Sequence, residues 1–226
     1  MKKTLFLFLL SAALMLILAG CGKAPAPVTE SSTPETASPA AETQSAVIET
    51  SAPSSVPDRQ DGERFEDVII LEGMEETVKY EHVVNKTVGI EMDYDYESFL
   101  RRSETDRERF ISAWDNAETP ENYLELTYSP ESAEAAKASI SEALSKEYDL
   151  TEGTRTLDGA GDCIWMEASV IKGTNNMAPQ IQTVYIIPAS DGCRIATAHC
   201  AIEGSEGFGR RFTYMLNTLS VCSRQN

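Results

Sequence analysis

The stretch CIWMEASVIKGTNNMAPQIQTVYIIPASDGCRIATAHCAI, residues 163–202, decides the fold of this chain. Three runs rich in apolar, β-branched and aromatic residues alternate in it with two short loops of turn-forming residues. The runs predict strands over 163–171, 181–188 and 193–202. Because short loops force consecutive strands to lie antiparallel, the sequence predicts a three-stranded meander here.

Further elements are expected on either side of the meander. Alternating apolar residues predict upstream strands, and helical spacing predicts one helix capped by Ser129 with Pro130 in its first position. A closing C-terminal helix is predicted from about Ser205, with one apolar stripe. A third helix is expected over 96–113. The upstream strands cover residues 68–71, 78–84, 87–92 and 123–128, and the stripe consists of Phe208, Phe212, Met215, Leu216 and Leu219.

This order of elements indicates an α+β domain, an antiparallel sheet flanked by two or three helices. The pattern resembles the PsbP/DcrB-like fold. The segments LEGMEE (71–76) and GFGRRF (207–212) also resemble uncharacterised lipoproteins of Gram-positive anaerobes. Because members of that fold include non-catalytic accessory and protein-binding proteins, the resemblance implies no reaction.

The first residues have the pattern of a bacterial lipoprotein signal peptide. Lys2 and Lys3 precede an apolar run over 5–18 that is short for a membrane span, and the run ends in Leu-Ala-Gly before Cys21. This ending resembles a lipobox, which implies cleavage after residue 20 and a diacylglycerol on Cys21. The lipid would anchor the protein to the extracytoplasmic face of the cell membrane.

Residues 21–61 are predicted to be a disordered tether, and residues 62–226 one extracytoplasmic globular domain. The tether contains six of the ten prolines and no aromatic residue, so it cannot bury enough apolar surface to fold. The formal net charge is −17, which argues against binding of nucleic acid. Possible partners at this location are an envelope or cell-wall protein or polymer, and the oligomeric state is left open.

No catalytic motif is present in the sequence. The chain has two histidines, His82 and His199. His199 precedes Cys200, but adjacent side chains in a strand point to opposite faces, so the two cannot form a catalytic pair. We therefore expect a non-catalytic binding or accessory module with no cofactor. The alternative is an extracytoplasmic hydrolase whose site is assembled from residues distant in sequence.

Each of two charged clusters allows both a structural and a ligand-binding interpretation. Asp93, Asp95 and Glu97 have spacing that can hold Ca²⁺, although a solvated strand end is the favoured interpretation. The basic cluster is expected on a solvated helix face, paired with Glu104, Asp106 and Glu108, and contact with an anionic polymer is the alternative. That cluster consists of Arg101, Arg102, Arg107 and Arg109.

Aromatic residues could line a ligand groove, but a place in the core is the favoured prediction. These residues are Tyr80, Tyr94, Tyr96, Trp114, Tyr123 and Tyr128.

Four cysteines besides Cys21 allow three full disulfide pairings. Cys193 starts the last strand of the meander, and the closing helix runs back along it, so a Cys193–Cys222 disulfide is predicted. Cys163 is the main competitor for that pairing. Cys200 is expected to be a buried free thiol. The alternative is that all four cysteines are reduced, as in many anaerobes.

Overall fold

The computed structural model describes residues 59–71 and 73–225 of the chain. The predicted signal peptide, Cys21 and nearly all of the tether lie outside these residues, and those predictions stay predictions. The predicted domain boundary at residue 62 falls just after two residues that contact the domain. Arg59 pairs with Asp93 at 3.0 Å, and the Asp61 carboxylate accepts a hydrogen bond from the Val84 backbone N–H.

Eleven strands in the described residues form two antiparallel sheets. The smaller sheet has the order β1-β2-β3-β11. The larger has the order β4-β5-β6-β10-β9-β8-β7. The bounds in the smaller sheet are β1 Arg64–Leu71, β2 Met74–Asn85, β3 Ile90–Asp95 and β11 Ser220–Val221. Those in the larger are β4 Phe99–Ser103, β5 Arg107–Ser112, β6 Tyr123–Ser129, β7 Tyr148–Leu157, β8 Gly161–Ile171, β9 Met177–Ala189 and β10 Gly192–Ala201.

The predicted meander is confirmed as β8, β9 and β10, which are antiparallel neighbours in sequence order. The α+β class and the antiparallel sheet are confirmed as well. The third helix, expected over 96–113, is wrong, because this segment forms the hairpin of β4 and β5. The buried residues Phe99 and Phe110 of this hairpin pack into the core, where Phe110 pairs with Leu124 of β6, and this tertiary burial overrides the local charge pattern.

Two helices lie in the described residues. Helix α1 spans Ala133–Leu144, and its N-cap is Ser132, three residues after the predicted cap. Helix α2 spans Ser205–Asn217, as expected for the closing helix, and follows a short 3₁₀ turn over Ile202–Gly204. Neither helix, within the described part of the chain, is long and apolar enough to cross a membrane.

The larger sheet packs against a different helix on each face. The face towards α1 contributes Met166, Val184, Ile186 and Cys193 to one apolar cluster. The opposite face joins the smaller sheet and α2 in the main core, to which α2 contributes its predicted stripe. Alternation along each strand therefore decides which helix a side chain meets.

A buried arginine ties the two sheets together at one end. Arg194, on β10, is 1% exposed. Its Nε donates to the Gly89 carbonyl in the β2–β3 turn, and its guanidinium nitrogens pair with Asp191 in the β9–β10 turn. Gly89 has φ +80°, and a Cβ there would lie 2.4 Å from Arg194 Nη2. The turn thus requires glycine both for its conformation and for this close approach.

The free edge of β1 is covered at two points. The Tyr214 hydroxyl, from α2, lies 3.1 Å from both the backbone nitrogen and the carbonyl oxygen of Ile70. The Asp67 carboxylate accepts a hydrogen bond from the Val68 backbone N–H at 2.8 Å. At both points, backbone groups of the edge strand are hydrogen-bonded to side chains of the same protein.

Candidate functional site

A cavity lies between the meander and α2; we call it the α2 cavity. Trp165 on β8 pairs directly with Tyr185 on β9, and Ala198 and Cys200 follow on β10. These residues share one face of the sheet because strand side chains alternate. Across from them lie four residues of α2. They are Ser205, Gly209, Phe212 and Thr213.

The α2 cavity has a volume of about 200 Å³. Pockets for drug-sized ligands span about 300–1,000 Å³, so this cavity suits a smaller molecule. Its floor is apolar and its margin carries hydroxyl and charged groups. The remaining lining residues are Arg155, Glu167, Ile181 and Thr183.

The indole N–H of Trp165 stands out among the buried groups. Its Nε1 is the one buried side-chain nitrogen or oxygen of the described residues that has no hydrogen-bond partner. Buried indole N–H groups usually find an acceptor, and leaving one unsatisfied costs about 1–3 kcal/mol. Trp165 is also a lining residue of the α2 cavity, so a ligand acceptor that reached this nitrogen would be stabilised.

The thiol that lines the α2 cavity is held in its protonated form. Burial raises the pKa of Cys200 to about 12, so the thiolate, which is the nucleophilic form, is not formed at neutral pH. Cys200 is buried and free, as predicted. His199 lies on the opposite face of β10, also as predicted, and cannot serve Cys200 as a base.

His199 stacks on Tyr123, with ring centroids 4.3 Å apart. The pKa of His199 is lowered to about 4, mainly by burial; Glu125 opposes this shift and Arg109 contributes to it. The imidazole is therefore neutral at pH 7. Its ring lies in a stack of side chains, because Arg109 in turn lies over the Tyr123 ring at 5.1 Å.

The other histidine forms a buried pair in the smaller sheet. His82 Nδ1 lies 2.7 Å from the Asp93 carboxylate, directly across from it in the β2–β3 pairing. Asp93 also binds Arg59, while Asp95 binds Arg211 at 2.8 Å. The expectation that these aspartates form a solvated strand end is wrong, because both are buried and bonded to cationic side chains. Glu97 remains exposed and pairs with Lys79.

The described part of the chain contains no recognisable metal-binding site. No group of three His, Cys, Asp or Glu side chains there is placed to hold an ion. Asp93 and Asp95, the two aspartates of the candidate calcium stretch, are instead bonded to Arg59 and Arg211.

The basic cluster lies on strands rather than on a helix. Its predicted ion pairs exist, but they form across and beside strands. Arg101 pairs with Glu108, and Arg107 with Glu104 and Asp106. Glu108 is fully buried and also accepts hydrogen bonds from Ser103 and Asn85. Arg109 pairs with Glu125, and Arg102 with Glu118.

The prediction that the aromatic residues lie in the core holds for part of the set. Tyr80 and Tyr94 are buried core residues, as favoured from the sequence, whereas Trp114 is 69% exposed. Tyr128 lies between Arg194 and Arg224, at an open depression of about 570 Å³. The cationic groups of that depression are already engaged by Asp191, by backbone carbonyls and by Tyr128 itself, so it offers less to a ligand.

All four cysteines of the domain are free thiols in the structure, and the predicted Cys193–Cys222 disulfide is not formed there. Cys193 packs in the apolar cluster beneath α1. Its neighbour Arg194 points to the other face, towards Gly89 and the segment that contains Cys222. Cys193 and Cys222 therefore lie on opposite faces of the larger sheet. The prediction from the sequence considered only which end of the sheet they share.

Sequence reasoning did not single out the residues that define the α2 cavity. Arg155 lies on β7, a strand missed because six of its ten residues in succession are exposed. The sequence predicts Trp165, Glu167 and Tyr185 only as residues of strands and not as parts of a site. Their alternation on one face, opposite an apolar stripe with two glycines, is the signal that could have indicated a cavity.

No family model matches this chain, and no curated protein matches it. Similar solved structures include a protein of Bacteroides thetaiotaomicron, with a TM-score of 0.43 and 10% identity over 62% of this chain and 47% of that one. This chain thus spans about half the length of that protein.

Two further structures are similar at the same level. The Ran-binding protein Mog1p of Saccharomyces cerevisiae has a TM-score of 0.43 and 11% identity, over 65% of this chain and 97% of that one. The cyanobacterial PsbP (CyanoP) of Synechocystis has a TM-score of 0.42 and 11% identity, over 63% and 92%. Similarity of this extent assigns no function.

Proposed function

We propose that this protein is a lipid-anchored binding protein of the extracytoplasmic face, and that its domain holds a small ligand in the α2 cavity without changing it chemically. The observation that carries the proposal is the buried, unpartnered indole N–H of Trp165, a residue that lines the cavity. A ligand acceptor would recover the hydrogen bond that folding leaves unmade.

Binding is favoured over catalysis by the state of the cavity's side chains. An enzyme needs a positioned nucleophile and a base. Cys200 is the thiol of the cavity, and its pKa of about 12 keeps it protonated. Neither His82 nor His199 lines the cavity.

The proposed location rests on the sequence. The lipobox-like ending at Cys21 and the proline-rich stretch that follows support a domain carried on a tether above the membrane. A partner in the cell envelope fits that location, and the net charge of −17 disfavours nucleic acid.

A hydrolase is the second candidate, and the buried His82–Asp93 pair is the observation that favours it. An aspartate bonded to one ring nitrogen is how a catalytic histidine is oriented. Here the same carboxylate is also bound by Arg59, which ties the pair into the structure of the smaller sheet. Turnover of a peptide or wall substrate that is lost in His82→Ala but retained in Gly209→Leu would favour the hydrolase.

The test uses two glycines of α2 as a matched pair. A Cβ at Gly207 or at Gly209 would meet nothing within 4 Å, but of the two only Gly209 lines the α2 cavity. The full-length protein and the variants Gly209→Leu and Gly207→Leu would be purified from their own membranes. Small molecules that are released on denaturation would then be measured by mass spectrometry.

We expect the same small molecule from the unaltered protein and from Gly207→Leu, and its loss from Gly209→Leu. Release of no small molecule from any of the three proteins would reject the proposal. Equal release from all three would also reject it, because the ligand would then lie elsewhere.

A further inference from the structure

Two opposite charges share the α2 cavity without pairing. Arg155 and Glu167 both line it, and neither forms an ion pair with any residue in the ranges that the structure describes. Eight other arginines of those ranges do pair with a carboxylate. Arg155 is one of three arginines in those ranges without an ion pair, with Arg210 and Arg224, and of the three it alone lines the α2 cavity.

Strand register places these charges on either side of Trp165. Arg155 lies across from Cys163, two residues before Trp165, and Glu167 lies two residues after it. Two residues of strand span about 7 Å, so the backbone positions of Glu167 and of the residue paired with Arg155 flank Trp165 at about that distance. The Arg155 guanidinium carbon is 4.2 Å from the centroid of that ring, and Glu167 accepts a hydrogen bond from Ser169 Oγ at 3.0 Å.

The hydroxyl of Tyr185 is within electrostatic reach of both charges. Burial is the main cause that raises the pKa of Tyr185; Arg155 lowers this pKa and Glu167 raises it. Because Tyr185 pairs directly with Trp165, the two aromatic side chains form the middle of the site, with a cation towards one side and a carboxylate towards the other.

We infer that the α2 cavity takes a small zwitterion, of which a free amino acid is the simplest case. Its carboxylate binds Arg155, its ammonium group binds Glu167, and its apolar part packs against Ile181, Ala198 and Phe212. This inference rests on the proposed function and narrows it to one class of ligand.

Charge and size both select this class. A ligand with only a negative charge would meet Glu167 and a chain of net charge −17, and one with only a positive charge would meet Arg155. A zwitterion satisfies both groups and carries no net charge. One water molecule takes about 30 Å³ in the liquid, so the cavity corresponds to about seven waters, a space suited to a small amino acid.

The test is a fluorescence titration of the full-length protein. The chain has two tryptophans, so Trp114→Phe leaves Trp165 as the sole reporter. Leucine, glycine and phenylalanine would be the zwitterionic probes. Isocaproate is leucine without its amino group, and isoamylamine is leucine without its carboxylate. These two are the matched singly charged probes.

We expect saturable changes in Trp165 emission with at least one amino acid. For leucine, loss of either charged group should weaken binding about ten- to a hundredfold. Arg155→Gln should weaken amino-acid binding to the same degree without affecting isoamylamine, and Arg155→Lys should restore part of it. Glu167→Gln should weaken amino-acid binding without affecting isocaproate.

Two results would overturn the inference. One is that no amino acid changes the emission at millimolar concentration. The other is that isocaproate or isoamylamine binds as tightly as leucine. If a non-zwitterionic molecule is released from the purified protein and its release is lost in Gly209→Leu, the inference fails while the proposed function stands. If no molecule is released and no probe binds, both fail.

Discussion

Helices α1 and α2 cover opposite faces of the larger sheet and are stabilised in different ways. Helix α1 begins with a side-chain cap, in which the Ser132 hydroxyl accepts a hydrogen bond from the Ala135 N–H, yet it buries only Ala136 fully. Helix α2 has no side-chain cap and contains two glycines, yet it buries Phe212, Met215 and Leu216. Helix α1 thus relies more on local interactions, and α2 on tertiary packing.

The difference coincides with the position of the cavity. The first half of α2, which has both glycines and no side-chain cap, borders the α2 cavity together with Phe212 and Thr213 of the second half. Each glycine in a helix costs about 1 kcal/mol relative to alanine. The wall of the candidate site therefore combines the locally weakest turns of α2 with one of its three buried residues, Phe212.

The largest expected effect comes from removing a packing residue of α2. Phe212→Ala should lower the free energy of unfolding by about 3–5 kcal/mol, because the ring is 1% exposed and lies among core side chains. Ile140→Ala in α1 should cost clearly less, since Ile140 is half-buried. Urea denaturation of both variants measures the contrast, and equal losses would contradict the view that tertiary packing distinguishes the helices.

An intermediate effect is expected at the cap of α1. Ser132→Ala should destabilise the protein by about 1 kcal/mol, because the Ala135 N–H loses its acceptor. Ser139→Ala, at an exposed position within the same helix, is the matched control and should not destabilise it. If urea denaturation shows no difference between the two variants, the cap contributes nothing.

The smallest effect should have the opposite sign. Gly207→Ala is expected to stabilise the protein by about 0.5–1 kcal/mol, because a Cβ there meets nothing within 4 Å and alanine favours the helix. The change should also raise the protection of the first α2 amides against hydrogen exchange. Unchanged stability and unchanged exchange would show that the glycine does not weaken this half of α2.

The sequence allowed prediction of the elements whose signal is local. The meander has clear apolar runs and short loops, and the stripe of α2 has a clear helical period. Both were found within a few residues of their bounds. The sequence predicts a helix where the hairpin of β4 and β5 forms. Arginines and glutamates at helical spacing indicate a helix there and obscure the strand pattern of Phe99 and Phe110 among polar neighbours.

The candidate site could not be predicted, because it depends on which strands are neighbours. β7 has few buried residues and exists through its pairing with β8, so no pattern within it indicates a strand. Because the sequence does not predict β7, it also does not predict that Arg155 lies beside Trp165. Likewise, Cys193 and Cys222 could be put at one end of the sheet from the sequence, but not on opposite faces of it.

The covered edge of β1 has a consequence for how copies of this protein behave when they are crowded. An exposed strand edge is a template for pairing with a second chain, which leads to aggregation. Tyr214 takes up both backbone groups of Ile70, and Asp67 takes up the N–H of Val68, beside side chains that are apolar and exposed. The proposed lipid anchor at Cys21 would bring copies of this protein together far more often than bulk solution does. Three hydrogen bonds at one edge thus keep such encounters from growing into intermolecular sheets.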